Sequence, residues 1–359
     1  MSGASERRPR LVALRALGLG DFLCGLPALR ALTKAFPSHE RLLAAPEVLR
    51  PLAELSRCGF SVLDTAPLER LPARLDRPEV AVNLHGRGPQ SHRRLLETKP
   101  GCLIGFSHPA VPESAGSPDW RCDEHEVQRW CRLLVETGIP ADPGALHIDA
   151  SPLDTQRGVQ GGVAAAERSE ATSCESPLAR GTLRRSGPRE EKKTVVLHPG
   201  ASSRARQWPP GRWAAVARAQ GDAGRHVVIT GGAAERPLGL DVAREAGLDA
   251  TMVVAGRTTL LQLTELVAAA SLVVCGDTGI AHLATALGTP SVILFGPTSP
   301  ARWGPPPSPR HRVLWNGTTG DPHGDEPDAG LLSIDVGDVL GAIGDAVDER
   351  DRRGSGVLR

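Results

Sequence analysis

Lysine is scarce in this chain, and positive and negative charges almost cancel. Lysine and arginine together number 42 and aspartate and glutamate 41, which gives a formal net charge of +1 over 359 residues. Nearly all of the basic charge is arginine, because lysine occurs only at Lys34, Lys99, Lys192 and Lys193. Without an excess of positive charge there is no overall field to attract a polyanion. We therefore expect no nucleic acid partner.

Long apolar stretches are also missing. The apolar residues 11–14 are followed by Arg15 and Asp21, which interrupt the stretch that a secretory signal needs. The best candidate for a membrane span, residues 260–274, contains Gln262, Thr264 and Glu265 and is shorter than the ~20 residues that a span requires. The sequence predicts a cytoplasmic protein that is at most peripheral at the inner face of the cell membrane.

Metal-binding patterns are absent as well. The seven cysteines include no C-x-x-C pair, so they fit neither a disulfide framework nor a zinc ribbon, and a reducing compartment is expected. Cys122, His125 and Cys131 lie near one another in sequence, but zinc would need a fourth ligand, so packing explains them better. There is also no D-x-D triplet. We expect no cofactor and no metal ion.

The length suits two domains, each large enough to bury its own core. Residues 151–193 are rich in Ser, Gly, Ala, Arg and Glu and contain few large apolar residues, which is typical of a flexible linker or insertion. The sequence therefore predicts an N-terminal domain at 1–150, this linker, a C-terminal domain at 194–345, and a disordered tail at 346–359.

Both halves alternate short apolar strands with helices. The N-terminal half has strand patterns at 11–16 and 80–84 and helix patterns at 22–36 and 125–137. The C-terminal half is more regular, with strand patterns at 194–197, 226–230, 252–254, 272–275 and 291–295, and helix patterns at 212–219, 235–246, 260–270 and 281–287. Such alternation predicts doubly wound parallel sheets, whose ligands bind at the carboxyl ends of the strands.

The loop after the strand at 194–197 has the composition of a phosphate site. Gly200 lets the backbone approach a ligand, Ser202 and Ser203 offer hydroxyl donors, and Arg206 offers a permanent cation. A polar surface loop before a helix would have a similar composition, so this loop alone does not decide between the two interpretations.

Two further loops lie at strand ends. After 272–275, a helix begins near Thr278, where unpaired amides attract anions, and His282 lies one turn further on the same face. Asp277 or Thr278 could instead be a simple N-cap, and His282 a packed core residue. After 226–230, Glu235 could accept hydrogen bonds from ribose hydroxyls, or could complement the helix dipole. Because all three loops open on one rim, together they predict a nucleotide-diphosphate site.

The sequence resembles glycosyltransferase family 9, the family that contains the ADP-heptose heptosyltransferases of lipopolysaccharide core assembly. The resemblance covers nearly the whole chain except the linker. It is carried by residues 277–290, 294–300 and 303–305, by Gly20 and Asp21 with Pro27, Leu32 and Pro37, and by Trp208, Pro209 and Trp213. It implies the GT-B architecture, in which two Rossmann-like domains face each other across a cleft.

The resemblance also implies roles for individual residues. Asp21 matches the general base of the family, and a donor site is implied for Ser202, Ser203, Arg206, Asp277, Thr278, Gly279 and His282. Two positions depart from the family: Arg206 replaces a frequent lysine, and Asn83 replaces an expected acid. From the residues alone, a cap of the helix at 22–36 is the favoured role for Asp21. For the acceptor, the basic loop after 80–84 offers His85, Arg87 and Arg93, although a solvated turn would look the same.

The function expected from this resemblance is metal-independent, inverting transfer of a heptose or similar sugar. The expected donor is a nucleoside-diphosphate sugar, with ADP as the expected nucleotide, and the expected acceptor is a hydroxyl of a glycan or glycolipid, with the protein acting as a monomer. A nucleotide-sugar epimerase on the same fold and a catalytically silent binding protein are the alternatives. A nicotinamide dehydrogenase fits poorly, because Gly18 and Gly20 are not followed by the third glycine of that fingerprint.

Overall fold

The computed structural model describes residues 8–151 and 193–355. Apart from Ser151 and Lys193, the predicted linker at 151–193 lies outside the described residues. The described chain forms two five-stranded parallel sheets, one from each half of the sequence. This confirms the predicted fold class of two Rossmann-like α/β domains.

The first sheet has the strand order β3-β2-β1-β4-β5. Alternate residues of the central strand β1 contribute to different clusters, Leu11 and Ala13 on one face and Val12 and Leu14 on the other. The strand is thus buried on both faces, as parallel strands usually are. The strands are β1 (Arg10–Leu14), β2 (Glu40–Ala45), β3 (Ser61–Asp64), β4 (Val80–Asn83) and β5 (Cys102–Ile104), and the helices are α1 (Leu19–Ala35), α2 (Arg50–Leu55), α3 (Gln90–Leu96) and α4 (Glu126–Glu136).

The second sheet has the strand order β10-β9-β8-β6-β7. Its central strand β8 is buried at every position, between β6 and β9. The strands are β6 (Thr194–His198), β7 (His226–Ile229), β8 (Leu272–Gly276), β9 (Ser291–Leu294) and β10 (His311–Leu314). The helices are α5 (Pro210–Asp222), α6 (Arg236–Ala246), α7 (Leu260–Ala269), α8 (Gly279–Leu287), α9 (Pro300–Trp303), α10 (Ala329–Leu332) and α11 (Val336–Ser355).

Two sequence predictions for the second domain need correction. The strand predicted at 252–254 is wrong, because Val253 makes only an isolated bridge to Ile229 after a 3₁₀ turn. The fifth strand is β10 instead. The tail predicted to be disordered at 346–359 is helical in α11 as far as Ser355, and its last four residues lie outside the described residues. This helix is anchored by Val339 and Ile343 in the core, and helix formation is cooperative beyond such an anchor.

The two domains touch where α1 meets α8, and glycines permit the approach. A Cβ atom on Gly279 would lie 3.2 Å from the backbone nitrogen of Gly20, and one on Gly20 would lie 2.8 Å from Cδ2 of His282. Apolar side chains of both helices, such as Leu23 and Ile280, belong to one buried cluster. Each helix follows the central strand of its own sheet, so the two helices begin at the same opening between the domains.

None of the helices within residues 8–151 and 193–355 combines the length and the apolar character that crossing a bilayer demands.

Candidate active site

A cleft of about 670 Å³ opens between the two domains at the carboxyl ends of both sheets. Its walls combine residues that follow β1 in the first domain with residues that follow β6, β7 and β8 in the second. Eight of the predicted site residues line it: Asp21, Ser202, Arg206, Glu235, Asp277, Thr278, Gly279 and His282. The structure therefore brings the predicted base and most of the predicted donor site into one cavity.

Asp21 lies in the first turn of α1. The N-cap of this helix is Gly18, so Asp21 is not its cap, contrary to the alternative interpretation. Its side chain is 31% exposed, and its Oδ1 lies 3.8 Å from Nη2 of Arg15. Burial raises the pKa of Asp21, while the Arg15 guanidinium opposes that rise. A carboxylate that is partly desolvated and stays within reach of solvent is suited to accept a proton.

Arg206 ends a 3₁₀ turn at Arg204–Arg206. Its Nη2 donates to Oγ of Ser202 at 2.5 Å, and its Nη1 donates to the backbone carbonyl of Asp277 at 3.2 Å. The Nε of Arg206 is buried and has no hydrogen-bond partner in the described part of the chain. Each terminal nitrogen keeps a second N–H beyond these bonds, so the guanidinium is held at the cleft wall with donors to spare for phosphate oxygens.

Ser203 has a different position from that predicted. It is the N-cap of the 3₁₀ turn, where its Oγ accepts from the backbone N–H of Ala205 at 3.3 Å. Its hydroxyl also donates to the carbonyl of Gly324 at 3.4 Å. Ser203 does not line the cleft, so within the structure it shapes the loop that carries Ser202 and Arg206.

The start of α8 faces the cleft. Thr278 is the N-cap, but its side chain makes no capping bond, and its hydroxyl donates to the Gly276 carbonyl at 3.4 Å. The first amides of α8 are therefore not occupied by a side-chain cap, and such amides bind anions. Burial raises the pKa of the neighbouring Asp277 to about 6, although Arg206 acts in the opposite direction.

His282 both lines the cleft and packs between the domains. Its Nδ1 lies 3.5 Å from Sγ of Cys24, and its ring stands edge-on to Trp303 with centroids 6.0 Å apart. Burial lowers the pKa of His282 to about 4, and His125 adds to the effect. The imidazole is therefore neutral at pH 7. His282 therefore lines the cleft that the predicted donor site requires, and it also packs between the domains, as the alternative interpretation required.

Glu235 lies over Gly200, in the loop that follows β6. Its Oε2 accepts from the backbone N–H of Gly232 at 2.6 Å, and a Cβ atom on Gly200 would lie 2.1 Å from its Oε1. Only glycine fits at position 200 with this carboxylate in place. Glu235 thus caps the turn that precedes α6, a contact that neither interpretation had named, and it presents a carboxylate to the cleft.

Sequence reasoning missed several lining residues. His198 is the last residue of β6, and its Nδ1 lies 3.0 Å from Oγ1 of Thr230. Burial lowers the pKa of His198, and Glu235 opposes this. Its place at the end of a strand, just before the glycine loop, was a signal that could have found it. Arg302, in the short helix α9, and His323, in the loop before α10, also line the cleft, and neither position has a comparable sequence pattern.

The predicted acceptor residues His85, Arg87 and Arg93 do not line this cleft. His85 is half-buried, and burial lowers its pKa to about 4. Asn83, which stands where an acid was expected, accepts from the backbone N–H of His85 at 3.0 Å and donates to the Gly86 carbonyl at 3.0 Å. Its amide therefore stabilises the turn of this loop.

Within the described ranges, no group of three or more His, Cys, Asp or Glu side chains is arranged to hold a metal ion. Cys122 is exposed and Cys131 is buried. His125 makes a contact between the domains, with its Nε2 2.9 Å from the carbonyl oxygen of Gly304.

The fold and the cleft define a glycosyltransferase, and comparisons with known proteins support this. The family model of glycosyltransferase family 9 (heptosyltransferase) matches residues 117–329, more than half of the chain. The chain belongs to this family. No curated protein sequence matches it significantly.

Solved structures of this family share the fold. The glycosyl transferase family 9 protein of Veillonella parvula is 19% identical with a TM-score of 0.72, over 95% of this chain and 98% of that one. The E. coli ADP-heptose LPS heptosyltransferase II is 20% identical with a TM-score of 0.70, over 95% and 99%. The E. coli heptosyltransferase WaaC with ADP is 16% identical with a TM-score of 0.65, over 94% and 99%. The architecture of this chain is therefore GT-B.

Proposed function

We propose that this glycosyltransferase moves a heptose or a similar sugar from an ADP-linked donor to a hydroxyl of a glycan or glycolipid, with inversion and without a metal ion. The observation that carries the proposal is the composition of the cleft. A carboxylate from one domain, Asp21, shares it with a cation, Arg206, and an uncapped helix start at Thr278 from the other domain.

In the proposed reaction, the acceptor hydroxyl loses its proton to Asp21 as its oxygen forms a bond to the anomeric carbon. The bond between that carbon and the diphosphate oxygen breaks, and the electron pair leaves with the nucleoside diphosphate. Arg206, the Ser202 hydroxyl and the first amides of α8 are placed to stabilise the departing charge. Because one displacement reverses the anomeric configuration, the product would have the configuration opposite to that of the donor.

The donor preference is proposed from two sources. Related enzymes are described with ADP or ADP-heptose, which makes ADP the first candidate for the leaving group. In this chain, the Glu235 carboxylate beside Gly200 offers an acceptor for ribose hydroxyls. A glycolipid acceptor would bring the protein to a membrane surface on the cytoplasmic side.

The test combines donor screening with one substitution. ADP-, GDP-, UDP- and dTDP-sugars are compared for thermal stabilisation of the protein, since a ligand that binds the folded state raises its stability. With the best donor and a bacterial glycolipid extract as acceptor, nucleoside diphosphate release is measured in the presence of EDTA, and the product anomer is assigned by NMR. Retained configuration or loss of activity in EDTA would contradict the corresponding part of the proposal.

Asp21→Asn should lower turnover by about 10²–10⁴-fold, the usual contribution of a general base, while donor affinity changes little. Asp123→Asn, an exposed aspartate outside the cleft, is the matched control and should behave as wild type. An Asp21→Asn enzyme as active as this control would remove the base from the mechanism.

A further inference from the structure

Arg15 is a fully buried arginine directly beneath the first turn of α1. Its Nε donates to the backbone carbonyl of Asp21, and its Nη1 donates to the carbonyl of Leu84 after β4. Its Nη2 donates to Oε1 of Glu126 at 3.2 Å. Removing a guanidinium from water is costly unless its donors are paired, and here each of its three nitrogens has a partner.

Helix α1 leaves room for the Arg15 side chain at a glycine. Gly25 lies inside α1, where glycine lowers helix stability. A Cβ atom at this position would lie 2.7 Å from both Cδ and Nε of Arg15. A side chain at position 25 would push the guanidinium away from the Asp21 turn. One contact therefore explains both the interior glycine and the buried cation.

Glu126 holds Arg15 from the opposite side. This buried carboxylate is at the start of α4, and it also accepts from Nε1 of Trp130 at 2.7 Å and from Nη1 of Arg129. The Cζ of Arg15 lies 5.0 Å from the centre of the Trp130 ring. The groups form a row of alternating charge that begins at Asp21 in the cleft and runs through Arg15 and Glu126 to Arg129.

We propose that Arg15 is a positioning residue for Asp21, which fixes the first turn of α1 and keeps the Asp21 carboxylate ionised, and that Glu126 moderates this effect by sharing the guanidinium. The inference rests on the proposed function in taking Asp21 as the base. Arg15 itself is not in contact with the cleft and acts through Asp21.

The signs of the electrostatic effects are opposite for the two partners. Burial raises the pKa of Asp21, Arg15 lowers it, and the negative charge of Glu126 raises it. Removing the cation should therefore raise the Asp21 pKa, and removing the Glu126 charge should lower it. A role confined to folding would not produce shifts of opposite sign.

Other titratable and charged groups surround Asp21 and Arg15, and the test leaves them unchanged. Burial raises the pKa of the Cys24 thiol and lowers those of His85 and His282 to about 4, so these three are neutral at pH 7. The second domain contributes the cleft residues Asp277, Arg206 and Arg302.

The experiment titrates Asp21 directly by ¹³C NMR in protein labelled at the aspartate carboxyl carbons, with Asp21→Asn identifying its signal. Arg15→Gln should raise the titration midpoint by about one to three pH units, the range an adjacent arginine commonly produces. Arg15→Lys, which keeps the charge, should lie closer to wild type. Glu126→Gln should lower the midpoint.

The matched control is Arg30→Gln. Arg30 is on the same helix and also donates to backbone carbonyls, those of Ser56, Ala145 and His147. It lies nine residues beyond Asp21, roughly 13 Å along the helix. Arg30→Gln should therefore leave the titration midpoint of Asp21 unchanged.

An unchanged midpoint in Arg15→Gln, an upward shift in Glu126→Gln, or the same shift in Arg30→Gln would each overturn the inference. Failure of the proposed function would look different, because Asp21→Asn would then transfer sugar at the wild-type rate whatever the titration shows.

Discussion

Replacing Arg206 by alanine should weaken binding of the nucleoside diphosphate far more than it weakens the fold. Within the protein, Arg206 donates one hydrogen bond to Ser202 and one to the Asp277 carbonyl. Each contributes about 1 kcal/mol, and water in the cleft can replace part of it, so the loss of stability should stay below about 2 kcal/mol. Two charge-assisted bonds to a diphosphate contribute about 3–6 kcal/mol, which corresponds to a Kd about 10²–10⁴-fold higher.

Isothermal titration with ADP measures this loss, and thermal unfolding measures the cost to the fold. Arg204→Ala is the matched control, because Arg204 is in the same 3₁₀ turn but is exposed and outside the cleft. Arg206→Lys keeps the charge without the planar fork, so its affinity should be intermediate. Equal affinity of ADP for Arg206→Ala and Arg204→Ala would refute the assignment of the diphosphate site.

Two further outcomes are expected. Gly200→Ala should weaken donor binding about tenfold. The new Cβ would lie only 2.1 Å from Oε1 of Glu235, so the carboxylate would have to move and would lose its bond to Gly232. Titration should show no such loss for Gly341→Ala, because a Cβ at position 341 has open space around it. The neutral His282 should make stability depend on pH. Its pKa falls from 6.5 to about 4 on folding, so its contribution of about 3 kcal/mol is complete above pH 6.5 and is lost as the pH falls towards 4. Denaturant unfolding should show a smaller loss between pH 7 and 4.5 in His282→Gln than in wild type, and an equal loss would contradict this.

The fold could be predicted best where strands are buried on both faces. The interior strands β6, β8 and β9 are rich in β-branched residues, and their positions in the sequence were predicted closely. The edge strand β10 was missed because its first residues, His311 and Arg312, are only partly buried. The apolar run at 252–254 misled for the opposite reason, since it packs against β7 without joining the sheet.

The cleft residues were accessible to sequence reasoning because the fold places the ends of parallel strands on one rim. The role of Arg15 was not accessible to sequence reasoning, because in the sequence this residue merely interrupts an apolar stretch. Its partners Leu84 and Glu126 are 69 and 111 residues away, and no local pattern connects them. Ser203 was assigned to the donor for its hydroxyl, but only the structure shows that this hydroxyl is used by the loop itself.

The meeting of α1 and α8 at Gly20 and Gly279 has a consequence for acceptor choice. Side chains close this contact on all sides, because His282 packs against Gly20 and the buried Leu23 and Ile280 belong to one cluster. Asp21 and Thr278 lie beside it, so the packing of α1 against α8 sets the distance between the predicted base and the predicted diphosphate site. We expect differences in acceptor size to come from substitutions in loops away from this contact, with the reacting centre left intact.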